Sequence, residues 1–180
     1  MQVLRGLMVS IALLASGLLW GPAHAQGIGG AVERVTWTAE APPRVHPGET
    51  LQVALTGQIA DGWKMYAVDS PKPSRGVTVR FDSIPDGFAE QTYVAQRPPQ
   101  EGYDPNFDKT VRYFEGQAVV ATDFAVDPGV AAGTYELGGT VEFMICTDEM
   151  CLPPTRTPFA VSVAVSSTPD EAAAEVVRVT

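Results

Sequence analysis

Apolar side chains recur at every second position in four stretches of the chain: Leu51, Val53 and Leu55; Val77, Val79 and Phe81; Val141, Phe143 and Ile145; and Phe159, Val161, Val163 and Val165. A period of two turns one face of a strand toward a core and the other toward solvent, so each stretch predicts a half-buried β-strand. The segments between them carry turn chemistry: Pro42-Pro43, Pro47-Gly48, Asp61-Gly62, Pro71-Lys72-Pro73, Pro85-Asp86-Gly87, Pro98-Pro99 and Asp127-Pro128-Gly129. No apolar stripe of helical period crosses the body of the chain, which leaves no helical layer to pack against the strands. The segment from Ala95 to Thr110 is the longest without strand character, and it reads as a long loop of the kind that carries function.

Many short strands in one domain-sized chain predict an all-β fold of two packed antiparallel sheets, an immunoglobulin-like β-sandwich. The Cys-Trp-Cys spacing of a true immunoglobulin domain is missing, so the expectation concerns architecture only. The ends divide off from this body. Met1 to Ala25 has one basic residue, Arg5, then an uncharged apolar run from Gly6 to Trp20, then small residues at Ala23 and Ala25. That is the three-part pattern of a secretory signal peptide cleaved after Ala25. Its apolar run is shorter than the ~20 residues of a spanning helix, which argues against an uncleaved anchor and for no membrane insertion after cleavage. Residues 26–165 form the expected sandwich domain, and residues 166–180 a short tail, helical or disordered.

The formal net charge is −9, and loss of Arg5 with the leader makes it one unit more negative. Phosphate contacts need clustered Lys and Arg, so this balance argues against nucleic-acid binding. No Ser-His-Asp set, phosphate-binding loop or dinucleotide fingerprint is present, and hydrolase or nucleotide chemistry has no support. Export instead places the protein in a compartment where disulfides persist.

That setting gives weight to the two cysteines, Cys146 and Cys151, in the run from Val141 to Thr155. A disulfide closing so short a loop stabilises a fold by only about 2 kcal/mol on the chain-entropy model, against about 4.7 for a loop of about 100 residues. Three roles remain open on the residues alone. The pair opens and closes as its job; or it pins one turn of a non-enzymatic interaction domain; or, reduced, it joins Met144 and Met150 in a soft Cu(I) site. Zinc is disfavoured, because His46 is the one histidine beyond the leader. Asp148 and Glu149 lie between the sulfurs, and no Lys, Arg or His occurs from Thr134 to Thr155. Local negative charge disfavours thiolate, so the oxidised pair is expected to be opened by another protein's activated cysteine rather than to attack. Leu152-Pro153-Pro154 presents the second cysteine on a stiff connector.

The run Phe143-Met144-Ile145-Cys146-Thr147-Asp148-Glu149-Met150-Cys151-Leu152-Pro153-Pro154, with Asp61-Gly62-Trp63-Lys64-Met65-Tyr66 upstream and Tyr113-Phe114-Glu115-Gly116 between, resembles the N-terminal periplasmic domain of the thiol:disulfide interchange protein DsbD. The resemblance extends from about Val32 to Val165. It implies an immunoglobulin-like sandwich without a cofactor, acting as a thiol-disulfide oxidoreductase of the protein-disulfide reductase type. Cys146 and Cys151 would be the redox couple, taking electrons from a membrane-embedded thiol reductant. They would hand them to thioredoxin-like periplasmic proteins serving disulfide isomerisation and cytochrome c maturation. The family's aromatic cap loop would fall at Tyr103 to Asp108, with Phe107 as the capping ring and Asp104 as its acid, and Tyr66 would pack near the pair. The sequence departs from the pattern twice. Four residues separate the cysteines where some members have five, and the 180 residues hold no membrane conduit, so the reductant is expected to be encoded separately.

Overall fold

The structure is a computed structural model that describes residues 30–95 and 97–167. The expected leader and the tail from residue 168 lie outside these residues. The chain starts with one helical turn, α1 (Ala31–Arg34), and continues in strands: β1 (Val35–Glu40), β2 (Arg44–Val45), β3 (Thr50–Ile59), β4 (Lys64–Tyr66), β5 (Thr78–Ser83), β6 (Phe88–Ala95), β7 (Gln100–Asp104), β8 (Lys109–Glu115), β9 (Gln117–Val126), β10 (Gly133–Phe143), β11 (Ile145–Cys146) and β12 (Thr155–Val165).

Two four-stranded sheets, ordered β1-β3-β9-β6 and β2-β12-β10-β5, form the layers of the sandwich. Leu51, Val53 and Leu55 of β3 are buried, as their alternation requires, and so are Val120, Phe124 and Val126 of β9. They meet Leu137 and Val141 of β10 and Val163 and Val165 of β12 in two contiguous apolar clusters. Burying each such side chain contributes roughly 1.5–3 kcal/mol, which is what holds the layers together. The pairings are antiparallel except that of β2 with β12, which is parallel. In two predicted strands the alternation is softer: Val79, between the buried Val77 and Phe81, and Phe159 and Val161, at the start of their stretch, are only half-buried.

A third sheet, ordered β11-β4-β8-β7, was not foreseen and carries the cysteines. β7 and the first two residues of β8 come from the segment read as a long loop, since residues 100–115 form a hairpin in which Gln100 pairs with Tyr113 and Asp104 with Lys109. β7 has no apolar alternation to read, because it is an edge strand with Gln100, Glu101 and Tyr103 exposed. Its strand character comes from hydrogen bonding to β8, which propensity does not register. At Gly116, φ is 70°, a left-handed turn that suits glycine and lets β8 run into β9, and so the small sheet into the sandwich, within one residue.

Strand parity divides this third sheet. Met65 of β4, Phe114 of β8 and Ile145 of β11 point into the main core. Their neighbours Tyr66, Val111, Met144 and Cys146 point the other way, into a separate small cluster joined by Phe107, Tyr113 and Cys151. β4 is buried on both faces.

Candidate functional site

Cys146 ends β11 and is bonded to Cys151 across a tight hairpin. The hairpin has its own backbone ladder: Thr147 N–H donates to Met150 O at 2.8 Å, and Leu152 N–H to Ile145 O at 3.0 Å. Thr147 Oγ1 accepts from the N–H groups of Glu149 and Met150 at 3.2 Å each. The turn therefore has hydrogen bonds of its own besides the sulfur–sulfur bond. Cys146 is fully buried and Cys151 partly exposed. Of the soft atoms considered for copper, Met144 lies in the buried cluster and Met150 on the exposed turn.

The turn joining β7 to β8 lies against this pair. Asp104, the last residue of β7, is fully buried, and its carboxylate organises the turn. Oδ1 accepts from Asn106 N–H at 2.9 Å and from Asn106 Nδ2 at 3.0 Å, while Oδ2 accepts the Tyr66 hydroxyl at 2.7 Å. A buried carboxylate without such donors would be strongly destabilising. Asp108 takes the left-handed φ of 52° that closes the turn, a conformation Asp tolerates better than most residues. Phe107 is thereby held edge-on to Tyr66, centroids 5.5 Å apart, within the cluster that contains both sulfurs. Asn106 Nδ2 also donates to Thr147 O at 2.7 Å, so the turn is bonded to the backbone of the cysteine hairpin itself.

Five of the seven residues singled out from the sequence thus converge: Cys146, Cys151, Phe107, Asp104 and Tyr66. Asp148 joins them at the margin, mostly exposed, through its ion pair with Lys64. Glu149 is exposed at the hairpin tip, where its backbone N–H supports the turn.

Lys64 and Asn106 are what residue patterns overlooked. The segment around the cysteines has no cation of its own, but the fold brings one to it. Lys64 is the register partner of Cys146, and its Nζ lies 2.7 Å from Asp148 Oδ1, 3.6 Å from Asp104 Oδ2 and 5.4 Å from the centre of the Tyr113 ring. The signal was available in strand parity, because Lys64 and Tyr66 lie two apart on β4 and must share a face. Asn106 had no such signal, since its bond to Thr147 spans 41 residues.

The electrostatics follow from this geometry. Burial would raise the Asp104 carboxyl, but the bonds from Tyr66 and Asn106 and the charge of Lys64 outweigh it and hold the group below its ordinary 3.8. Burial, then the bond to Asp104, pushes the Tyr66 hydroxyl well above its usual range, so it stays a donor. Burial works to lower Lys64, yet the bond to Asp148 and the charge of Asp104 prevail and raise it above 10.5. A carboxyl depressed by folding contributes stability that is whole above its unfolded value and is lost as pH falls through its folded value. The turn from Asp104 to Asp108 is accordingly expected to hold from neutral pH down through 3.8 and to loosen only below that. The Asn106 amide signal in an NMR pH titration checks this; a midpoint at or above 3.8 would contradict it.

Comparison with known proteins agrees with the geometry. The family model for the N-terminal domain of the thiol:disulfide interchange protein DsbD matches residues 34–163, most of the chain. The chain belongs to this family. DsbD N-terminal domains are periplasmic thiol–disulfide exchange domains, which interact with thioredoxin-like proteins and a membrane partner. Among solved structures, the N-terminal periplasmic domain of ScsB from Proteus mirabilis aligns with a TM-score of 0.52 at 13% identity, over 73% of this chain and 46% of that one. The chain therefore spans less than half of that structure, and at this identity the likeness speaks for the fold. A cohesin module of a family 33 glycoside hydrolase from Clostridium perfringens aligns with a TM-score of 0.48 at 12% identity, over 73% of this chain and 96% of that one. No curated protein sequence matches the chain significantly. Among the described residues of this DsbD N-terminal domain, no helix is long and apolar enough to cross a membrane.

Proposed function

We propose that Cys146 and Cys151 form a reversible redox couple that carries an electron pair from a membrane-embedded thiol reductant to thioredoxin-like periplasmic proteins. The observation that carries this reading is a disulfide whose hairpin has backbone bonds of its own, with Cys151 partly exposed in an apolar cluster that Phe107 of the β7–β8 turn helps to cover. A structural staple has no use for such a cover.

The chemistry is two exchanges. A thiolate of the reductant attacks Cys151 Sγ, the sulfur–sulfur bond breaks, and its electron pair leaves on Cys146 Sγ. The reductant's second thiolate then attacks its own sulfur in the mixed disulfide and releases Cys151. The reductant is oxidised, and with two protons the domain holds two thiols. Transfer to the recipient runs the same steps outward: Cys151 attacks the recipient's disulfide, and Cys146 resolves the mixed disulfide. Attack at Cys151 is favoured by access, because Cys146 is fully buried. Phe107 covers the pair between encounters, and a docking partner displaces it with the turn.

Equilibration with a dithiol buffer of known potential tests the proposal. A carrier should have a potential above about −300 mV; a value far below that marks a structural bond and overturns the reading.

A further inference from the structure

We propose that Lys64 is the charge partner of Cys146, lowering its thiol pKa so that this buried sulfur leaves as thiolate when the disulfide opens and is ready to resolve when it closes. The inference rests on the exchange chemistry above and adds a residue to it.

The argument begins with register. Lys64 of β4 lies directly opposite Cys146 of β11, and opposed residues of an antiparallel pair share a face, with Cβ atoms about 4.5–5.5 Å apart. Lys64 is itself buried, 7% exposed, so its ammonium is screened little by water. Of its two ion-pair partners, the buried Asp104 lies at 3.6 Å and is held by donors of its own, so the nearer one can be given up. Its close partner, Asp148, has a side chain 79% exposed, which water can solvate if the ammonium turns toward sulfur. The other groups facing this position are Asp104 at the end of β7, Tyr66 on β4, Tyr113 on β8, Glu115 of β8 in register with Lys64, and Glu149 on the hairpin. Asp104 is satisfied by Tyr66 and Asn106. The other two carboxylates are exposed. Lys64 is thus the one cation that these contacts and pairings bring to the buried sulfur.

When the partner attacks Cys151, an anion appears on Cys146 in a site from which water is excluded. Without a cation it would be costly, and a thiol of higher pKa leaves more slowly. With Lys64 opposite, the anion forms as one half of an ion pair. The ammonium keeps its proton and exchanges Asp148 Oδ1 for the thiolate. No proton need reach Cys146 during the first exchange.

The test uses the reduced full-length protein with cysteine Cβ carbons labelled, so that NMR reads the titration of Cys146 directly without a redox partner. Lys64→Met should raise the Cys146 pKa by about one unit or more, the usual effect of losing an opposite charge at this range, and Lys64→Arg should restore it. Loss of Lys64 also loosens the cap, and Phe107→Ala controls for that with the opposite sign. Opening the site to water should lower the pKa of a buried thiol toward ~8.5, whereas losing the cation raises it. Superimposable titrations of wild type and Lys64→Met overturn the proposal, as does a downward shift in Lys64→Met. A separate arm follows wild-type disulfide opening by a dithiol. Failure there would overturn the carrier function, whereas normal opening with an unshifted Lys64→Met titration would remove Lys64 alone.

Discussion

The Cys146→Ala variant is expected to accumulate in the periplasm as a mixed disulfide through Cys151, while Cys151→Ala leaves a buried thiol that captures almost nothing. The asymmetry comes from burial: Cys146 is inaccessible and Cys151 partly exposed. Replacing both should abolish electron transfer altogether. The same double variant should cost only about 2 kcal/mol of stability, since the loop closed is short and the hairpin keeps its backbone ladder. Alanine is preferable to serine at position 146, where a new hydroxyl would be buried beside apolar groups and cost about 1–3 kcal/mol if left unpaired. Non-reducing electrophoresis of affinity-purified variants reads the capture, and urea unfolding reads the stability. Equal capture through either cysteine would refute the assignment of Cys151 as the attacked sulfur. A far larger stability loss in the double variant would favour the structural staple.

The second large effect is expected at Phe107. Phe107→Ala should speed alkylation of the reduced pair by on the order of tenfold or more. The ring is half-buried, so removing it forfeits about 1 kcal/mol of apolar burial, with a further ~0.5–1.5 kcal/mol from its edge-on contact with Tyr66. Each 1.4 kcal/mol is a tenfold change in the population of the open turn. The polar half of the cap survives the change, because Asp104 and Asn106 keep their bonds. Stopped-flow alkylation of reduced wild type and variant checks the rate, and an unchanged rate would show that the ring does not gate the sulfurs.

The strands of the sandwich were legible because each buries one face: the alternation at Leu51, Val53 and Leu55, and at Val141 and Phe143, is visible wherever one side of a strand meets water or another layer. The third sheet was not. β4 is three residues long and buried on both faces, and β7 is a polar edge strand, so neither carries a two-residue rhythm. The site residues reached by resemblance, among them Phe107, Asp104 and Tyr66, do lie together, yet no local pattern would have joined them, since Tyr66 and Asp104 are 38 residues apart. Lys64 was read past for a related reason. The chain around the cysteines carries no cation, whereas the relevant neighbour comes from across the sheet.

The parity of β11 has a consequence for how this segment can change. Val141, Phe143 and Ile145 lie on the core side and Met144 and Cys146 on the other, in one unbroken alternation. Side chains there can be exchanged for others of like size, but the count of residues leading to Cys146 cannot shift by one. A single insertion after Phe143 would turn the sulfur into the sandwich core and set an isoleucine beneath the cap. What this stretch must preserve is an even-or-odd arithmetic, and chemistry at the surface is tied through it to the packing of the interior.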